Sequence, residues 1–183
     1  MKTNTTFTAK LTLLAGNSCS IREMTCECVT ASILDEDHMI ELLSNKNTVE
    51  RKGNFNSYEL LNNKGTLAFQ DSTKQMYVAF NNLKIKRNLN NELMPNQEKF
   101  YLVFSTTLDV NGTKLKLLIS SMPVAVIDHD GQEPQARAII TWHNAFGECR
   151  HKKMYVPDEV TWGQVNQSRV HTDSTYFIVI IMI

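Results

Sequence analysis

Apolar and polar residues alternate along much of the chain, with the period of two that puts one strand face on a core and the other in water. Phe7, Ala9, Leu11 and Leu13 alternate with Thr and Lys, and Met76, Val78 and Phe80 with polar neighbours. Phe100, Leu102 and Phe104 continue the pattern. Asn111-Gly112 is a hairpin turn pair, after which Leu115, Leu117 and Ile119 run back. Pro123 then introduces a short apolar strand over residues 124–127. Two segments change period. Residues 35–44 place Met39, Ile40 and Leu43 on one helical face, and residues 134–146 begin with Pro134 and stop before Gly147. In the second helix Ala138, Ile139, Trp142 and Phe146 share a stripe, so Trp142 is expected to be a core anchor. The pattern predicts a mainly β chain, an antiparallel sandwich or barrel with short helices at 35–44 and 134–146.

With 183 residues there is enough chain for one domain with a sizeable core and a further small element. Lys plus Arg and Asp plus Glu both total 19, so no global positive field marks a polyanion binder. Affinity for nucleic acid must come from local patches. The four cysteines, Cys19, Cys26, Cys28 and Cys149, form neither a C-x-x-C pair nor a regular framework, and the first residues have no apolar signal-peptide core. Cytoplasm and nucleus are the expected compartments, and the sequons at Asn4, Asn111 and Asn166 are read as unmodified. There is no phosphate-binding Gly-rich loop, nucleophile elbow, H-E-x-x-H helix or paired-cysteine zinc pattern, and the five histidines are scattered. An enzyme, a metal site and a cofactor are therefore not expected.

The order of motifs is more specific. Residues 121–146 read SSMPVAVIDHDGQEPQARAIITWHNAF, an apolar strand, a polar loop with Gln and a helix. Before it come KTNTTFTAKLTLL, ELLNN, GTLAFQ, VAFNNLKIKR and QEKFYLVF, and after it VPDEVTWGQV. In this order they resemble the DNA-binding domain of the signal transducer and activator of transcription (STAT) family. The resemblance implies a STAT-type immunoglobulin-like domain over residues 1–155 and the start of a helical linker at 156–167. Residues 168–183 match no part of the family and form a tail whose apolar run is too short to span a membrane; within it residues 176–183 are β-branched-rich and charge-free, the composition of an exposed strand.

The resemblance also implies a working surface of loops at one end of the sandwich, gripping double-stranded DNA. Lys2 stands where the family has a phosphate-contacting lysine, with Thr3 and Thr5 beside it. Lys84, Lys86 and Arg87 resemble the family's basic element near the duplex, although Leu89 stands where a second basic residue is usual. Asp128, His129 and Gln132 match the loop that lies close to the bases; histidine there is similar to the interleukin-4 and prolactin-responsive branch. A neutral imidazole can donate or accept a hydrogen bond at a base edge. Asp128 and Asp130 flank His129 where relatives carry neutral residues, and an anion there repels phosphate unless it is paired. Asn56 falls near a family arginine position on DNA, with Arg51 and Lys52 close by.

The function expected from the resemblance is sequence-specific DNA binding within a cytokine-responsive transcription factor that recognises TTC...GAA palindromes as a dimer. A full-length form would add a STAT homodimer, a Janus kinase and a phosphorylated cytokine receptor as partners, with no membrane contact. Those dimerisation parts lie outside this sequence, so the alternative is a truncated STAT-like protein acting as a protein-interaction or nonfunctional isoform. A secreted adhesion domain is opposed by the absent signal peptide and cysteine framework.

Overall fold

A computed structural model describes residues 1–13, 24–26, 28–44, 57–73, 75–88, 99–110, 112–150, 153–167 and 179–182. The strands are β1 (Thr6–Leu13), β2 (Met24–Cys26), β3 (Val29–Asp35), β4 (Tyr58–Leu61), β5 (Lys64–Gly65), β6 (Ala68–Gln70), β7 (Gln75–Arg87), β8 (Lys99–Val110), β9 (Thr113–Ser120), β10 (Val124–Ala125), β11 (Glu148–Arg150), β12 (Lys153–Tyr155) and β13 (Val179–Met182). The helices are α1 (Glu36–Ser44), α2 (Glu133–Phe146) and α3 (Trp162–Gln167). Among the described residues one sheet runs β1-β7-β4 with β6 also on β7, and a larger one runs β13-β9-β8-β3-β5 with β10 and β2 also on β8. The paired strands of both sheets are antiparallel, as the alternating pattern predicts.

The two sheets share one core. Leu83 and Ile85 on β7 are fully enclosed (0 % exposed), and Val78, Phe80, Phe100, Phe104, Leu60 and Ile33 join them. Tyr58 meets Phe100 edge-on with ring centroids 5.0 Å apart, and the Phe80 and Phe104 rings lie 5.6 Å apart. Each such side chain contributes roughly 1.5–3 kcal/mol by leaving water. A period of two would carry Val78 and Phe80 inward but turn Leu83 and Ile85 outward. The β1–β7 register resolves this with a bulge: Phe7 faces Leu83 while Ala9 faces Phe80, so Asn81 and Asn82 together oppose Thr8. The bulge resets the parity of β7, which fixes the direction of every cation after it.

β8 is buried on both faces. Phe100, Leu102 and Phe104 enter the main core, while Tyr101 and Val103 point the other way and pack with Leu118, Met39, Leu34 and Leu42 beneath α1. This explains why residues 100–104 are continuously apolar. Asp35 starts α1, accepting from the His38 N–H at 2.8 Å. The helix keeps Met39 buried and Ile40 half-buried; the side chain of Leu43 lies outside the described residues.

Two expectations are corrected. Leu115 is exposed (44 %) at the turn end of the β8–β9 hairpin, although its cross-strand partner Leu108 is buried. Trp142 is only half-buried: its indole N–H donates to the Pro157 carbonyl at 2.7 Å, which turns the ring toward the following segment and against Phe146. The buried residue of α2 is His143. The tail strand β13 pairs antiparallel with β9, Val179 opposite Ser120 through Met182 opposite Leu117. Among the described residues no helix is long and apolar enough to cross a membrane, and no group of three or more His, Cys, Asp or Glu could hold a metal.

Candidate nucleic-acid interface

The candidate site is assembled where the chain enters β1, leaves β7 and leaves β10. Residues 1–3 run parallel to the segment after β10: the Ile127 N–H donates to the Met1 carbonyl and the Thr3 N–H to the Ile127 carbonyl, both at 2.8 Å. Asn4 then turns the chain with a left-handed φ of 61° and donates its N–H to the Ile85 carbonyl at 2.9 Å. Asparagine is one of the few residues other than glycine that tolerates this conformation. The Thr5 hydroxyl closes the turn by donating to the Lys2 carbonyl at 2.5 Å. The first residues are therefore held by backbone bonds to two neighbouring segments.

β7 supplies the second group. After the bulge its inward parity runs Leu83, Ile85, Arg87, so Arg87 leans toward the core side at the strand end and its Nη1 donates to Asp128 Oδ2 at 3.1 Å. Lys84 and Lys86 have the opposite parity and stand on the outer sheet face, Lys84 opposite Thr6 and Lys86 opposite Glu59. The three cations adjacent in sequence are thus divided between two faces.

The third group is the loop after Ile127. Asp128 Oδ1 accepts from the Thr3 hydroxyl at 3.0 Å, and Thr3 is itself buried (7 % exposed). Asp130 Oδ1 accepts from Lys2 Nζ at 2.7 Å, and this hydrogen bond and the ammonium charge, helped by His129, hold its carboxyl below the usual range. Gln132 Oε1 accepts from the N–H groups of Asp128 at 2.7 Å and His129 at 3.4 Å, while the Gln132 N–H returns to the His129 carbonyl at 3.1 Å. These bonds curl residues 130–132 into a 3-10 turn that runs into α2. His129 itself is exposed. A Cβ on Gly131 would stand 3.3 Å from His129 Nδ1, so the glycine leaves the imidazole room.

The structure brings Lys2, Thr3, Thr5, Arg87, Asp128, His129 and Gln132 to one end of the sandwich. Lys84 and Lys86 point from the adjoining outer face, and Asn56 lies outside the described residues. What the sequence reading missed is the pairing. The aspartates that looked unfavourable beside phosphate each hold a cation from a different segment. No spacing in the sequence signals these pairs, since Lys2 and Arg87 lie 128 and 41 residues from their aspartates. Thr3 and Gln132 also serve the loop itself, since their side-chain oxygens are spent on Asp128 and on backbone N–H groups.

Chemically the site offers one exposed imidazole, backbone N–H groups in a tight turn and cations that can exchange a carboxylate for a phosphate. Comparison with known proteins places the chain in a family. The chain is 33% identical over 172 residues to the "Signal transducer and transcription activator" of Drosophila melanogaster, covering 91% of this chain and 22% of that protein's length. Residues 1–127 match the family described as STAT protein, DNA binding domain, and the chain belongs to that family.

Proposed function

We propose that this chain is the DNA-reading domain of a STAT-type transcription factor, recognising TTC...GAA palindromes as part of a dimer. The observation that supports it most is the convergence of the first residues, the end of β7 and the 128–132 loop on one end of the sandwich, with His129 exposed among them. In this reading Lys2 exchanges its carboxylate for a phosphate, Arg87 keeps Asp128 and turns its remaining N–H groups to a phosphate, Lys84 and Lys86 add attraction from the outer face, Thr3, Thr5 and Gln132 hold the backbone, and His129 meets base edges. Histidine at the bases is the feature shared with the interleukin-4 and prolactin-responsive branch. Asn56 completes the set as a further contact. No cofactor and no catalytic step enter this function.

Residues 1–155 form the DNA-binding domain in this proposal, 156–167 begin a linker, and 168–183 are an added tail. The family likeness supports a larger protein that moves between cytoplasm and nucleus, activated by a Janus kinase at a phosphorylated cytokine receptor. Two-fold symmetry would place the same loops on each half-site. The alternative, a truncated interaction form, draws support from the internal pairing of Lys2 and Arg87, which lowers the free positive charge at the site.

Fluorescence anisotropy with a labelled TTC...GAA duplex and a scrambled control, at low and moderate salt, separates the two. The DNA-reading function expects preference for the palindrome, with His129→Ala lowering that preference roughly tenfold. Equal weak binding to every duplex, unchanged by His129→Ala, would favour the interaction form.

A further inference from the structure

The two aspartates beside His129 carry the same charge but do different things. Asp130 makes one exposed ion pair, to Lys2 at 2.7 Å. Asp128 spends both carboxylate oxygens on other segments, Oδ1 on the Thr3 hydroxyl at 3.0 Å and Oδ2 on Arg87 Nη1 at 3.1 Å, while its own N–H donates to Gln132 Oε1 at 2.7 Å. One side chain therefore ties together the leading segment, the end of β7 and the loop that carries His129. A carboxylate in that position opposes phosphate, so its presence lowers affinity unless it supplies something else.

We propose that Asp128 is a positioning residue that fixes His129 relative to the two cation-bearing segments, giving up attraction for DNA in general to gain discrimination between DNA sequences. This rests on the DNA-reading function above. Asp130, by contrast, only screens Lys2. The physical basis is that base readout needs donors and acceptors held to a fraction of an ångström, whereas phosphate attraction tolerates loose geometry. Three backbone-tethered segments joined through one carboxylate move as a unit. Cut the joint and the loop can shift while the charges remain.

Asp128→Asn and Asp130→Asn provide a charge-matched comparison, since each removes one negative charge. The amide of Asp128→Asn can still accept from Thr3 through its one oxygen, but then turns its NH2 group, a donor, toward the Arg87 guanidinium. In the full chain, Asp130→Asn is expected to strengthen binding to palindromic and scrambled duplexes alike, leaving their ratio within twofold of wild type. Asp128→Asn is expected to strengthen scrambled binding similarly while the palindrome-to-scrambled ratio falls roughly tenfold. Thr3→Val, which changes no charge, is expected to lower the ratio in the same direction. Identical behaviour of the two Asp→Asn variants would overturn the proposal.

Amide hydrogen exchange on the free protein gives a readout that does not depend on DNA. Exchange at the Thr3 N–H, bonded to the Ile127 carbonyl, is expected to accelerate several-fold in Asp128→Asn and Thr3→Val and not in Asp130→Asn. Unchanged exchange in all three would also overturn the strut. If wild type prefers no duplex, the DNA-reading function fails, and the exchange data still decide whether Asp128 joins the three segments.

Discussion

His143 shows how much one residue type can hide. It is 2 % exposed, and Lys99 Nζ stands 3.4 Å from its Nδ1 while also pairing with Glu36 at 3.1 Å. With Nδ1 facing an ammonium, the proton of the neutral ring belongs on Nε2, which finds no partner among the described residues. Burial first, then the Lys99 charge, lowers its pKa from the ordinary 6.5, with Glu36 pulling weakly the other way. The folded state therefore resists a proton that the unfolded chain accepts. Stability is unaffected by this group above about pH 6.5 and falls as pH drops through the window below it, because the unfolded state binds more protons there. Thermal melts at pH 7.5 and 5.5 should show the loss, and His143→Phe should flatten that part of the pH dependence while costing no more than about 1 kcal/mol at pH 7.5, since it also removes a buried unpartnered N–H. A pH profile identical in wild type and variant would refute the assignment. By apolar character Trp142 is the expected anchor, as the large apolar residue on the stripe. Spacing alone favours His143 equally, four residues after Ile139 and three before Phe146, but the polar type concealed it.

Elements were legible in proportion to their length and to the regularity of their alternation. β1, β7, β8 and β9 carry enough alternating positions to be read directly, and both helices are announced by their period and by Pro134. β5 was not legible: it is two residues long, and Lys64-Gly65 has no periodicity to detect. Yet at Gly65 the sheets approach closely, for a Cβ there would come 2.5 Å from Val78 Cγ2 and 3.1 Å from the Phe80 ring. Both neighbours are buried, so neither can move cheaply. Gly65→Ala should cost about 1–3 kcal/mol in a denaturant melt through overpacking. Gly112, whose φ of 82° lies in the β8–β9 turn with open space around it, offers a contrast. Its substitution by alanine should cost about 1 kcal/mol, from backbone strain alone. A Gly65→Ala variant as stable as wild type would mean the sheets separate more easily than their packing implies. The β7 bulge was equally invisible in the sequence, because Asn81-Asn82 reads as a polar pair. It nevertheless decides that Arg87 turns toward Asp128 while Lys84 and Lys86 face outward.

At the scale of the whole molecule, charge is balanced, 19 basic against 19 acidic residues, and attraction to a polyanion must be local. The candidate interface holds four cations, Lys2, Lys84, Lys86 and Arg87, of which Lys2 and Arg87 are already paired with carboxylates. Each phosphate neutralised releases counterions, so the slope of log K against log salt reports how many cations engage. Full engagement of all four would set a limit of about −3.6 per domain, at roughly −0.9 for each phosphate. The carboxylates alter this, since Lys2 leaving Asp130 for a phosphate exchanges one anion for another, and Arg87 remains neutralised by Asp128. The slope for one domain on a duplex should accordingly lie nearer −2, the contribution of Lys84 and Lys86 alone. Asp130→Asn should steepen it by about one, because Lys2 then meets phosphate without a competing carboxylate, and Lys86→Ala should flatten it by about one. A wild-type slope at or beyond the four-cation limit would show that the duplex recruits bases from elsewhere on the surface. A slope near zero would show that the balanced charge of the chain extends to the interface itself, and that any discrimination between duplexes comes from the geometry around His129.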